Sequence, residues 1–195
     1  MPMDIRHAIA HVADGHSLSQ EQARAVMDAI MSGSTTEAQI GGYLMALRTK
    51  GETVDEIAGS AMAMRDKSLK ITPPGLVVDT CGTGGDGSGT FNISTTAAFV
   101  VAASGVTVAK HGNRSISSKS GSADVLRALG VNVEAPPLVV ERCLSRVGIG
   151  FLFAPRHHSA MRHVMKPRTE LGTRTVFNLL GPLTNPAGAP CQVIG

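Results

Sequence analysis

The sequence predicts an α/β protein: a small helical N-terminal domain over residues 1–72, then a mainly parallel-sheet α/β domain over residues 73–195. Three observations carry this. The first seventy or so residues hold helix signals only. The run Ile71-Thr72-Pro73-Pro74-Gly75 then breaks helix. Beyond it, short apolar runs alternate with helical stretches, the pattern of strands joined by crossover helices.

In chain order, Ser19-Gln20-Glu21-Gln22 is a capping box ahead of a helix over Ala23 to Met31, with Gly33 following. Thr36-Glu37 opens a helix reaching Lys50, closed by Gly51. Ile40, Tyr43, Leu44 and Leu47 recur on it at helical spacing and are expected in a core. Thr53-Val54-Asp55-Glu56 is a further capping box, so the adjacent acids Asp55 and Glu56 are assigned structural work at the head of a helix running to about Lys67. Leu76-Val77-Val78 reads as a buried strand, residues 93–103 as a helix with Ser94 near its start, and Val106 to Ala109 as a second strand. Helices are expected over Ala123 to Leu129 and Leu138 to Val147. Strands are expected at Val131-Asn132-Val133, Gly150 to Phe153 and, beginning, at Gln192 to Gly195.

Two polar blocks follow the first two of these strands. Between Gly82 and Gly89 there are five glycines, so backbone amides can approach a ligand without side-chain obstruction. Strand, glycine loop and helix N-terminus in that order make an anion site, because the first amides of a helix lack partners and carry partial positive charge. The segment lacks the Lys-Ser/Thr ending of a P-loop and does not complete Gly-x-Gly-x-x-Gly, which lowers nucleoside triphosphates and dinucleotides as ligands. The second block, Lys110 to Ser122, brings Lys110, Arg114, Lys119 and a row of serines to the next strand end, where ligands of open α/β sheets collect. Lysine and arginine donate strong charge-assisted hydrogen bonds to phosphate, and serine hydroxyls suit phosphate and sugar alike.

Composition narrows the classes. A chain of 195 residues can bury about 70% of its unfolded surface. Aromatic residues are only 3%, so the core rests on Val, Ile, Leu, Ala and nine Met, and a nucleic-acid reader that stacks bases is excluded. A net charge of +3 is too mild for a polyanion partner. Cys81, Cys143 and Cys191 have neither disulfide nor zinc-ligand spacing, and Cys81 is read as a packing residue rather than a nucleophile. His157, His158 and His163 are read as surface or structural histidines. No apolar stretch approaches membrane-spanning length, and the cytoplasm is the expected location.

The wording Asp79-Thr80-Cys81-Gly82-Thr83-Gly84-Gly85-Asp86, Asn92-Ile93-Ser94-Thr95, Lys110-His111-Gly112-Asn113-Arg114-Ser115 and Gly121-Ser122-Ala123-Asp124 resembles the anthranilate phosphoribosyltransferases of tryptophan biosynthesis. The likeness continues through Phe153 to His158 and Arg174 to Pro186, so it covers essentially the whole chain. It implies a fold of the nucleoside phosphorylase/phosphoribosyltransferase type, magnesium as cofactor, and a homodimer formed through the helical domain. It also implies transfer of phosphoribose from phosphoribosyl pyrophosphate to the amine of anthranilate.

Carried over by residue, Gly82, Gly85, Asp86, Thr90, Asn92, Ile93, Ser94 and Thr95 would contact phosphoribosyl pyrophosphate, with Ser94 also a magnesium ligand. Lys110, His111, Gly112, Asn113, Arg114, Ser115, Ile116, Ser117, Ser118 and Ser122 would complete that site. Gly82, Asn113 and Arg168 would meet anthranilate, and His111 would help to position it. The resembled family continues well beyond the position of Gly195 and carries an Asp-Glu pair for a second metal there. The resemblance therefore implies a truncated member. A pyrimidine nucleoside phosphorylase and an inactive substrate-binding fragment stand as alternatives.

Overall fold

The computed structural model describes residues 3–83, 91–114 and 121–195, and the chain divides into two compact units. The helical unit takes residues 1–68 together with 158–184; the α/β unit takes 69–157 and 185–195. The division expected from sequence put the whole of 73–195 in one domain, whereas the segment 158–184 packs with the helices.

In the helical unit, α1 (Ile5–Ala13), α2 (Gln20–Met31), α3 (Glu37–Lys50) and α4 (Val54–Asp66) are each started by a side-chain cap. The boxes expected at Ser19/Gln22 and Thr53/Glu56 are present with both reciprocal bonds, and Thr36 forms a third with Gln39. Such caps satisfy helix amides that would otherwise lack partners. Ile40, Tyr43, Leu44 and Leu47 are fully buried, in one cluster with Val26, Met27 and Ile30. Helices α2 and α4 approach closely because Gly59 has no side chain: a Cβ there would lie 2.1 Å from the Gln20 carbonyl oxygen.

In the α/β unit, β1 (Val78–Cys81), α5 (Ile93–Ala103), β2 (Val108–Gly112), α6 (Ser122–Ala128), α7 (Pro137–Arg146), β3 (Ile149–Phe153) and α8 (Ala154–His157) follow in order. The helical unit then receives a short 3-10 turn (Ser159–Met161), α9 (Arg162–Leu171) and α10 (Phe177–Leu183). β4 (Cys191–Ile194) returns to the sheet. Among the described residues the sheet is parallel with order β3-β2-β1-β4. Winding therefore reverses at β1, and the carboxyl ends of β1 and β4 flank a topological switch point. The amide of Thr83 donates to the Gly195 carbonyl at 2.8 Å, which carries this pairing into the start of the glycine loop.

Three local readings differ. The first two strands run later than their most apolar residues suggest: Leu76 is exposed, while β2 extends through Lys110, His111 and Gly112, each paired with a residue of β3. Parallel ladder bonds and burial on both sides override the polarity of those side chains. The strand expected at 131–133 does not form. The Asn132 side chain accepts from the Glu134 amide at 3.1 Å, and its carbonyl accepts from the Ala135 amide, so the segment turns.

Candidate active site

At the carboxyl ends of β1 and β2 the α/β unit gathers a polar cluster. Lys110 follows the apolar Val108 and Ala109 in β2 and is only 3% exposed. Its ammonium donates to the Thr80 carbonyl oxygen and, at 3.3 Å, to the Ser94 hydroxyl in the first turn of α5. The Thr80 hydroxyl donates to the Ser94 carbonyl at 2.8 Å. A cation thus lies beneath the head of α5, joined to the end of β1. Burial lowers the pKa of Lys110, against raising influences from Cys81 and Asp79.

Asp79 is fully buried beside it. One carboxylate oxygen accepts from the His111 amide at 3.1 Å and the other from the Gln192 side chain at 3.0 Å. Burial raises its pKa, with hydrogen bonds from Asn185 and His111 opposing. Asn185 also donates to the Ala109 carbonyl at 2.8 Å. Sequence reading gave Asp79 and Asn185 no role. The signal for Asp79 was present, a carboxylate directly after an apolar run, since acids are almost never fully buried without partners.

On the neighbouring flank, the Thr95 hydroxyl donates to the Ser122 hydroxyl at 2.9 Å and the Ala123 amide donates to the Asn113 carbonyl at 3.2 Å. Gly112 ends β2 against this junction: a Cβ there would fall 2.8 Å from the Phe151 ring and 3.3 Å from Ser122. Arg114 is exposed, pairs with Glu134 at 3.0 Å and lies 5.5 Å over the Phe153 ring. A cavity of about 120 Å³, mostly apolar, lies alongside between α5, α7 and β3 and is bounded in part by Thr95 and Lys110.

Among the described residues of the sequence-predicted site, these contacts join Ser94, Thr95, Lys110, His111, Gly112, Asn113 and Ser122 in the α/β unit, while Gly82 directly follows β1, Asn92 and the exposed Ile93 stand at the start of α5, and Arg114 lies at the margin. Arg168 belongs to the helical unit, on α9, with its guanidinium 5.2 Å over the Phe177 ring and its pKa lowered by burial. Gly85, Asp86, Thr90, Ser115, Ile116, Ser117 and Ser118 lie outside the described residues. The Cys81 thiol is pushed up to about 12 by burial and the Asp79 charge, which leaves it a poor nucleophile at neutral pH. His157, buried, binds the Leu69 carbonyl at 2.7 Å and is structural. Among the described residues no three His, Cys, Asp or Glu side chains cluster as a metal site, and no helix is long and apolar enough to cross a membrane.

Residues 75–195 match the family model described as "Glycosyl transferase family, a/b domain", and residues 6–68 match that described as "Glycosyl transferase family, helical bundle domain". The chain belongs to the glycosyl transferase family. Within it, the resemblance read from the motifs holds along the chain. The anthranilate phosphoribosyltransferase of Afipia carboxidovorans is 60% identical over 98% of this chain, and that of Rhodospirillum rubrum is 62% identical over 98%. Among solved structures, the anthranilate phosphoribosyltransferase of Thermus thermophilus superposes with a TM-score of 0.91 at 52% identity over 96% of this chain and 57% of its own. The Saccharomyces cerevisiae enzyme, solved in complex with PRPP and Mg, gives 0.88 at 30% identity over 98% of this chain and 58% of its own. The chain spans 57% of the length of the Afipia relative and 55% of the Rhodospirillum relative. A helical bundle and a parallel α/β sheet are the two parts of the family fold, as the sequence predicts.

Proposed function

We propose that this chain carries the phosphoribosyl pyrophosphate site of an anthranilate phosphoribosyltransferase, acting in tryptophan biosynthesis. The reading is supported above all by the Lys110 ammonium lying beneath the head of α5 with Ser94, at the strand ends where the family motifs fall. The substrate's phosphates would meet the α5 amides, the glycine loop and the hydroxyls of Ser94, Thr95 and Ser122. Arg168 would take the anthranilate carboxylate, which a planar guanidinium binds bidentately.

Transfer forms a bond from the aromatic amine to the anomeric carbon and breaks the bond to pyrophosphate, with the amine proton lost. No side chain has to become covalently attached. The protein's part is charge neutralisation and alignment, and alignment of two reactants lowers a barrier by about 7–11 kcal/mol. Ser94 fits magnesium as one hard oxygen donor: its hydroxyl accepts from Lys110 and keeps a lone pair for the ion, which otherwise favours waters and substrate phosphates. When bound, magnesium neutralises charge on the departing pyrophosphate. A homodimer and a cytoplasmic location belong to the same reading.

The test is titration of phosphoribosyl pyrophosphate with magnesium by calorimetry, followed by anthranilate consumption monitored by its fluorescence, which the absence of Trp leaves clear. Saturable binding with consumption of anthranilate is expected. Phosphorolysis of thymidine or uridine, or no binding of phosphoribosyl pyrophosphate, would overturn the reading.

A further inference from the structure

The ladder between the two central strands is registered at one pair, Val78 with Val108, whereas β1 and β4 share four pairs and β2 and β3 share five. Toward the carboxyl ends of β1 and β2 the connection is made by side chains instead. Asp79 of β1 reaches across to the His111 amide of β2, and Lys110 of β2 reaches back to the Thr80 carbonyl of β1. The same Asp79 carboxylate takes Gln192 from β4, while Asn185 binds both Asp79 and the Ala109 carbonyl. Among the described residues this carboxylate is satisfied by hydrogen bonds from several elements, with no contact ion pair.

We propose that Asp79 is a positioning residue for the anion site, its buried carboxylate joining the carboxyl ends of β1, β2 and β4 and so fixing where Lys110 to Asn113 stand. Full burial of an acid is costly unless it is well hydrogen-bonded, and a valine would serve a core strand better. What a valine could not do is hold the next strand's amide at the point where backbone pairing has stopped. The inference rests on the proposed phosphoribosyl pyrophosphate site for its functional meaning, but its geometry stands apart from it.

The experiment compares the wild-type chain with Asp79→Asn and Asp79→Ala. Two quantities are read: the Kd for phosphoribosyl pyrophosphate with magnesium, corrected for folded fraction, and hydrogen exchange at the His111 to Asn113 amides. Asn keeps an acceptor for the His111 amide, so it should weaken binding about tenfold and Ala more, as expected for loss of hydrogen bonds to a charged group. Amide exchange at His111 should quicken in the same order. Wild-type Kd and exchange in the folded variants would overturn the proposal. If wild-type itself fails to bind, the functional reading falls and amide exchange alone decides the positioning role. Should neither variant fold, Gln192→Ala removes only the β4 contact. It is expected to weaken binding and quicken exchange less than Asn does, and wild-type behaviour in it would overturn the proposal.

Discussion

The Lys50 ammonium stands 3.0 Å from the Glu56 carboxylate, both side chains nearly or fully out of solvent. Glu56 also accepts from the Leu18 amide at 3.0 Å and the Thr53 amide at 2.8 Å, so one carboxylate caps α4 and anchors the approach to α2. Replacing Glu56 with Ala removes the carboxylate partner of the nearly buried Lys50, leaving it the Gly51 and Ser17 oxygens, and the acceptor of the Leu18 and Thr53 amides. A loss of about 3–5 kcal/mol is expected, measured by urea unfolding.

The pH dependence of that contribution has a definite sign. Burial by itself would raise the Glu56 pKa, but the bonds from Leu18, Thr53 and Lys50 outweigh it and hold the carboxyl below its ordinary 4.5. The folded value is therefore the lower one, so the stabilisation is complete above about pH 4.5 and is lost as pH falls through the folded value. Midpoints measured from pH 7 to 3 should drop steeply in the wild type and less in Glu56→Gln.

Gly59→Ala should destabilise by about 1–3 kcal/mol, since the new methyl meets Gln20 backbone rather than a movable side chain. Gly41→Ala, within α3 and with open space at its Cβ, should stabilise by about 0.5–1 kcal/mol. Thermal melts of the two variants moving in the same direction would contradict the packing described.

Arg168→Ala should weaken anthranilate binding by at least tenfold and leave phosphoribosyl pyrophosphate affinity within about twofold, as loss of a bidentate charged contact implies. Arg168→Lys should restore little, because an ammonium lacks the planar fork. Equal loss of both ligands would contradict the assigned role.

Alkylation with iodoacetamide at pH 8 should label the exposed Cys191 and spare Cys81, which is buried and whose thiol is pushed up to about 12. Mass mapping of the modified peptides reads this directly. Labelling of Cys81 at a comparable rate would mean that the end of β1 opens readily.

Helix starts were legible in the sequence because a capping box is local: Ser19 and Gln22, or Thr53 and Glu56, carry their own instruction within four residues. Strand limits were not. Whether Lys110 and His111 continue a strand depends on β3, roughly forty residues later, and polarity pointed the other way. The glycine loop suggested an anion site by its composition and by its place between a strand and a helix, but residues 84–90 of it lie outside the described residues. The burial of Asp79 was signalled by the apolar run before it, but its partners, His111, Asn185 and Gln192, were hidden because they are distant in sequence. The same holds for residues 158–184, whose packing with the helices depends on apolar positions such as Val164, Val176 and Leu180 meeting α2 to α4 far up the chain.

The pairing of β1 with β4 also orders events during synthesis. The Asp79 to Gln192 contact closes over a separation of 113 residues, whereas the Asp79 to His111 contact closes over 32. On a ribosome β1 gains its β2 neighbour early and keeps its other edge unpaired until residues 191–194 have emerged. Long-range pairing of this kind is slow and leaves strand edges open to other chains meanwhile. Nascent chains halted before residue 191 should accordingly depend more on chaperones than those halted after residue 194 has emerged.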